Sequence, residues 1–409
     1  MSLVLTDKEK NKLLTKKKFT ISQENLLKNL EFSSNIFLKF IINSEISQNN
    51  LNYKELNPLI WQYGHVIFFY INHVIKNLEK INPFTIYYDK INFYDSFITN
   101  LELRNDKNNL LKFDECKLLY INVIAWIKNY ICKNNLNYKI NYLITLGILH
   151  NEMHNEAFIF TNFKLNLKTD INYIIIKKNI LIKDIEFINY KSGSFIHGSK
   201  KNKKKFIFDN EIPSFKKKIK EFSISKYPIT EYMYTQFIIN NGYSINKYWS
   251  QEGINWKKKN NIKLPLYWIK EKNIYYKLIN GQKYNTLTNL PMSNISFYEA
   301  NAYCKWRNLR LPTESEYEYM ATNKGKTLYP WGNLKPNNNL CNINYKNNIV
   351  EVNSFLRGDN FLGVSQLIGN IWEWCQEPIY PYNGFIIDPI YREMSYPFFG
   401  YKIICKGGS

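Results

Sequence analysis

YKINYLITLGILHNEMHNEAFIFTNF, residues 138–163, repeats apolar side chains at three- and four-residue intervals and contains one glycine and no proline. That periodicity predicts an α-helix along the whole stretch. Its two histidines, in His150-Asn-Glu-Met-His154, share one helix face about a turn apart, a spacing that lets two imidazoles chelate one metal. The zinc-protease pattern HExxH has the same spacing but requires Glu directly after the first His. Here Asn151 stands in that place and the acidic residues are Glu152 and Glu156, so the protease pattern does not fit.

Upstream the same grammar holds. Residues 23–43, Leu59–Leu78 (LIWQYGHVIFFYINHVIKNL) and Glu115–Cys132 read as three more helices, the second ended by INPF, where Pro83 forbids continuation. Four long helices with apolar faces predict an all-α four-helix bundle, a scaffold that commonly holds metals between facing helices. A third imidazole has to come from another helix. His65 lies mid-helix in Trp61-Gln-Tyr-Gly-His65, and Gly64 allows a neighbour to pack closely there. Three neutral nitrogens on one side of an ion leave open positions for substrate and oxygen, a variation on the two-His-one-carboxylate iron sites. A mid-helix histidine can equally be a hydrogen-bonded core residue, and spacing alone leaves both readings open. Of the remaining two histidines, His73 reads as support for such a site or as packing, and His197 as structural.

Beyond about residue 185 Gly, Pro, Trp and short apolar runs appear, with turn signals every few residues. SGSFIHGS (192–199), FSISKYPIT (222–230) and GNIWEWC (369–375) read as small strands and compact loops. Ser296–Trp306 reads as a helix. A second helix starts near Pro312, with Thr313 as its cap and Glu316 reaching back from the first turn. No internal repeat is present. The division is therefore a helical domain over 1–180, a connection within 164–190, and an α+β domain over 185–409.

Composition agrees. A chain of 409 residues, 45% hydrophobic and 22% charged, is that of a folded two-domain protein. The formal charge of +21 gathers in lysine runs at 200–205, 216–218 and 257–259. No basic helical stripe, zinc-finger spacing or RNA-binding signature accompanies them, so they read as solvated loop lysines rather than a nucleic-acid surface. Six scattered cysteines without a CxxC pair speak against a disulfide framework or zinc ribbon. The charged N-terminus lacks a signal peptide's apolar stretch, and no apolar run approaches the ~20 residues that span a bilayer. A soluble, cytoplasmic protein is expected.

Both halves resemble one two-domain architecture. SGSFIHGS, FDNEIP (208–213), ISKYPITEYMYTQF (224–237), PMSNISFYEANAYCKWRNLRLPTESEYEYMA (291–321), YPWGN (329–333), GNIWEWC and KGGS (406–409) resemble, in order, the formylglycine-generating-enzyme-type domain, a variant of the C-type lectin fold. NPLIWQYGHVIFFY (57–70) and GILHNEMHNEAF (147–158) are similar to the metal-binding helices of the DinB-like bundle in ergothioneine- and ovothiol-type sulfoxide synthases. That resemblance implies Fe(II) on His65, His150 and His154. It implies that iron and O2 couple a thiol, cysteine or γ-glutamylcysteine, to the imidazole of hercynine or histidine. It further implies a proton-donating tyrosine in the loop after WEW, Tyr382 with Tyr380 as reserve, and Arg104 as the cation for a substrate carboxylate.

The pattern departs in three places. Met153 occupies the position before the last ligand, where bacterial relatives often carry a glutamine that holds the histidine substrate. Arg104 is the sole arginine of the first 180 residues. The sequence stops at Lys406-Gly-Gly-Ser409, where relatives continue, so the second domain is expected to be incomplete at its C-terminus. Two other classes stay in view: a DinB-like metal-dependent thiol transferase or hydrolase, and a non-catalytic lectin-like binding protein.

Overall fold

The computed structural model describes residues 10, 14, 19–45, 56–79, 82–106, 108–165, 180–200, 205–279, 281–343 and 348–408. The chain forms two compact units. The first comprises Met1–Thr169, Lys200–Ile212 and Phe385–Tyr396; the second comprises Asp170–Ser199, Pro213–Gly384 and Pro397–Ser409. No single cut near residue 180 separates them, because two excursions of the C-terminal half belong to the helical unit. Most of the expected connection, residues 166–179, lies outside the described residues.

The first unit is built on four long helices, as the periodicity predicts. Helix α1 runs over Gln23–Glu45. Helix α2 begins at Leu59–Phe69, widens into a π-helical turn over Tyr70–Ile75 and closes with Lys76–Leu78. Helices α3, Phe113–Lys133, and α4, Tyr138–Lys164, complete the bundle. Helix α1 packs on α3 and α4, and α2 packs on the same pair. One aromatic ring from each helix meets at the centre. Phe37 stacks on Tyr120 at 4.0 Å and stands edge-on to Tyr63 at 5.5 Å, while Phe158 tilts against Tyr63 at 4.7 Å. All four are buried, each worth roughly 1.5–3 kcal/mol of apolar transfer.

Local chemistry sets the helix ends. Asn137 caps α4 by accepting from the Ile140 N–H at 3.0 Å. The Lys112 N–H at the start of α3 donates to the Glu115 carboxylate at 2.8 Å. After Leu78 the backbone turns extended at Glu79, and Asn82 Oδ1 accepts from the Phe84 N–H at 2.9 Å, forming the stop expected from INPF.

The second unit has small antiparallel sheets and short helices. Strands β1 (Phe187–Tyr190) and β4 (Phe222–Ser225) pair, as do β2 (Gly193–His197) and β3 (Phe215–Ile219). A three-stranded meander follows: β5 (Trp268–Glu271), β6 (Ile274–Ile279) and β7 (Gln282–Asn285). Strands β8 (Glu373–Pro378) and β9 (Ile403–Lys406) pair across a register shift between Trp374 and Pro378. The helices are α5 (Glu231–Ile239), α6 (Gln251–Lys259), α7 (Phe297–Trp306) and α8 (Glu314–Ala321). Reciprocal caps start α7 (Ser296 with Glu299) and α8 (Thr313 with Glu316), and Arg310 grips the Glu316 carboxylate with two N–H groups. One core centres on Tyr234, Phe237, Trp249 and Tyr303, another on Tyr190, Phe195, Tyr317 and Met320. A buried Lys277–Glu231 pair, joined by the Thr288 hydroxyl, lies in this unit's interior. The six cysteines are all free.

Candidate metal centre

Helix α4 carries His150 and His154 on one face, and α2 brings His65 opposite them. One nitrogen from each imidazole lies within 4.8 Å of the other two. Ring centroids are 5.2 Å apart for His65 and His150, 4.9 Å for His65 and His154, and 4.6 Å for His150 and His154. It is the one three-ligand cluster of His, Cys, Asp or Glu among the described residues.

Electrostatics and hydrogen bonding both suit an ion. Burial pushes the His65 imidazole down to about 4 and holds His150 and His154 well below the ordinary histidine range. All three are therefore neutral nitrogen donors at pH 7, the form that ligates a metal. His150 Nδ1 and Nε2 and His154 Nδ1 are buried without a hydrogen-bond partner among the described residues. Leaving such groups unmade costs about 1–3 kcal/mol each, which a bound cation would offset. The residues present fit a divalent ion.

The surroundings fix the donors. His65 Nδ1 lies 2.7 Å from the Tyr94 carbonyl oxygen. A carbonyl only accepts, so Nδ1 carries the proton and Nε2 keeps its lone pair for the ion. Tyr94 can approach this closely because residue 64 is glycine: a Cβ there would sit 2.0 Å from Tyr94 Cε1. The Tyr94 hydroxyl in turn accepts from the Leu111 N–H at 2.6 Å. On α4, Asn151 accepts from the Tyr120 hydroxyl at 2.8 Å, so the position that a zinc protease gives to its general base here ties α3 to α4.

Aromatic rings wall the centre. Phe69 stacks on His150 at 3.7 Å and 8°, and Trp61 lies parallel to His65 at 5.2 Å and 10°. Arg104 lies over Trp61, its Cζ 4.0 Å from the ring centroid. Its Nε donates to the Thr99 carbonyl, Nη1 to Asn57 Oδ1 and Nη2 to the Ser96 carbonyl, at 2.9, 2.7 and 2.9 Å. The arginine that sequence marks for a substrate carboxylate thus fastens the turn after Tyr94 onto Trp61. Met153 is half-buried on α4 beside His154.

Sequence reasoning missed Tyr391. Its ring stands edge-on to Phe69 at 4.9 Å and to His150 at 5.5 Å. Asp388 places it: Oδ1 accepts from the N–H groups of Ile390 (2.9 Å) and Tyr391 (3.0 Å), and Oδ2 takes the Tyr142 hydroxyl. The Asp388-Pro389 step was a readable turn signal, since aspartate side chains close such turns. Nothing in the local sequence tells which packing surface that turn reaches. Burial pushes the Tyr391 phenol above its usual range, so it stays protonated at neutral pH.

The two tyrosines named from sequence belong to the second unit. Tyr382 donates to Glu314 Oε1 at 2.8 Å and packs against His197 and Phe215 at 5.2 and 5.1 Å. Tyr380 is exposed. Buried His197 lies 3.2 Å from Glu318 and 3.6 Å from Glu314, in keeping with a structural role. Burial alone would raise the Glu314 pKa, but His197 and Lys406 outweigh it and hold the carboxyl down at about 2.

Comparison with known proteins completes the picture. Hercynine oxygenase of Mycobacterium tuberculosis is 29% identical over 208 residues, covering 49% of this chain and 48% of that protein. Hercynine oxygenase of Mycolicibacterium smegmatis is 28% identical over 232 residues, 53% of this chain and 52% of that one. The mouse inactive C-alpha-formylglycine-generating enzyme 2 is 28% identical over 201 residues, 42% of this chain and 63% of its own. The chain spans about half the length of the hercynine oxygenases it matches. Residues 179–409, more than half the chain, match the family described as Sulfatase-modifying factor enzyme 1-like domain, and to that family this protein, with its helical N-terminal region, belongs.

Proposed function

We propose that this chain is an iron(II)- and O2-dependent sulfoxide synthase that joins cysteine or γ-glutamylcysteine to the imidazole of histidine or hercynine. One observation carries the reading: three neutral imidazoles with nitrogens within 4.8 Å of one another, on helices preceding the sulfatase-modifying-factor-type domain, in a chain similar to hercynine oxygenases. Iron(II) held by His65, His150 and His154 would supply open coordination positions for a thiolate and dioxygen, and the electrons to start their chemistry.

The chain's own residues do the rest. The Tyr94 carbonyl keeps the proton on His65 Nδ1, so that Nε2 always faces the ion. Phe69 and Trp61 cover the outer faces of His150 and His65 and exclude water from them. Tyr391, protonated and beside His150, is the proton donor we assign in place of Tyr382, whose hydroxyl is spent on Glu314. Fixing both substrates next to each other replaces a bimolecular encounter with an oriented one.

The test is anaerobic iron(II) reconstitution, then oxygen uptake and product mass with each imidazole and each thiol. An adduct of thiol and imidazole carrying one added oxygen, lost in His154→Ala, is the expected result. Bound zinc or nickel without oxygen uptake would replace this reading with a thiol transferase or hydrolase.

A further inference from the structure

The π-helical turn Tyr70–Ile75 carries a fourth imidazole that the metal centre leaves unused. In the turn the Lys76 N–H reaches back five residues to the Ile71 carbonyl. Each residue of so wide a turn advances the chain by less than the ~100° of an α-helix. His73 is therefore rotated back toward the face that carries His65 and Phe69, instead of drifting past it. Its ring lies 4.7 Å from that of Phe69 and 5.7 Å from that of Phe68. Phe69 covers His150 and Phe68 flanks His65, so His73 sits behind one layer of aromatic rings from two metal-binding imidazoles.

Three features separate His73 from a packing residue. Its neighbours Ile71, Val74 and Ile75 are fully buried, whereas His73 is only partly so. No hydrogen bond holds either ring nitrogen among the described residues, and neither is among the buried unpartnered atoms, so both stay open to a ligand. The field around it is positive: Lys10 and Lys76 both act on it. The one carboxylate acting on it, Asp388, is engaged by Tyr142, Ile390 and Tyr391. An unpartnered donor in a positive field suits an anion.

We propose that His73 binds the carboxylate of the amino-acid substrate that brings the imidazole to the three-histidine centre. The inference rests on the sulfoxide-synthase reading and adds a residue to it. It predicts selectivity for an imidazole bearing a carboxylate over one without.

The test is anaerobic calorimetric titration of the iron(II)-loaded protein with histidine, hercynine and histamine, which lacks the carboxylate. Wild type is compared with His73→Phe and His73→Gln, with iron content and circular dichroism recorded for each. Iron content should be unchanged, and histidine affinity should fall roughly 10- to 100-fold in His73→Phe, the size of one charge-assisted hydrogen bond. His73→Gln should recover part of it, and histamine should bind all three proteins alike. Equal histidine affinity in wild type and His73→Phe, or equal weakening of histamine, would overturn the proposal and leave the enzyme reading standing. Wild type that loads iron and binds none of the three would remove the enzyme reading itself, and this proposal with it.

Discussion

Gly64 shows how much a single residue decides. Any side chain there collides with the Tyr94 ring, whose backbone carbonyl holds His65. Gly64→Ala should lower iron affinity by roughly 10- to 100-fold, the usual effect of losing a metal ligand's hydrogen-bond partner. Competition with a chelator of known affinity measures it, and unaltered affinity would show that the Tyr94 contact is dispensable. Protons act on the same group of residues. His65 and His73 are held by burial at about 4, against 6.5 in the open chain. Between those values the unfolded chain binds more protons than the folded one, so stability rises with pH across the window. The Tm of the iron-free protein should therefore be level above about pH 6.5 and fall toward pH 4, less steeply in His73→Phe. A Tm independent of pH over this range would contradict the burial of these rings. His150 and His154 were legible as a pair because i,i+4 spacing is a local property, whereas only the family resemblance joined His65 to them. The duties of Arg104 and Tyr391 were not, since each depends on a turn that carries it to residues far off in sequence: Arg104 to Asn57 and Trp61, Tyr391 to Phe69 and His150.

At the level of elements, helix positions followed from periodicity, and their ends moved by only a residue or two. Helix α3 begins at Phe113 rather than Glu115 because the Glu115 side chain closes back on the Lys112 N–H. The π-helical turn in α2 had no sequence signal, because one extra residue per turn changes neither composition nor the apolar pattern enough to read. Caps behaved differently: Thr313 and Glu316 could be read directly and are found bonded reciprocally. Thr313→Ala should cost about 1 kcal/mol, as cap removal typically does. Glu316→Ala should cost more, since it also releases both Arg310 bonds. Urea denaturation of the two variants checks the order, and equal losses would mean that Arg310 contributes nothing.

For the whole molecule, the class of each half was written in its punctuation, Gly- and Pro-poor before residue 180 and turn-rich after it. What the sequence did not disclose is that Lys200–Ile212 and Phe385–Tyr396 join the helical unit. Their anchors, Ile390 in the bundle core and Phe206 stacked on Tyr142 at 5.2 Å, are ordinary apolar residues whose partners lie far away in sequence. None of the helices among the described residues is long and apolar enough to cross a membrane. A ligand that binds only the folded state stabilises it by mass action. Iron(II) at a hundredfold excess over its Kd should therefore raise the Tm of the helical unit's transition by roughly 5–10 °C. The increment should vanish in His154→Ala, and an equal rise in that variant would place the stabilising ion elsewhere.

The parallel stack of Trp61 on His65 has an optical consequence. An open-shell ion ligated by that imidazole lies close enough to the indole to drain its excited state. The emission of Trp61, one of nine tryptophans, should dim as iron is taken up and brighten again on chelation, with Trp61→Phe supplying the blank. Trp61 would then serve as a built-in gauge of metal occupancy, readable in dilute solution without label or added dye.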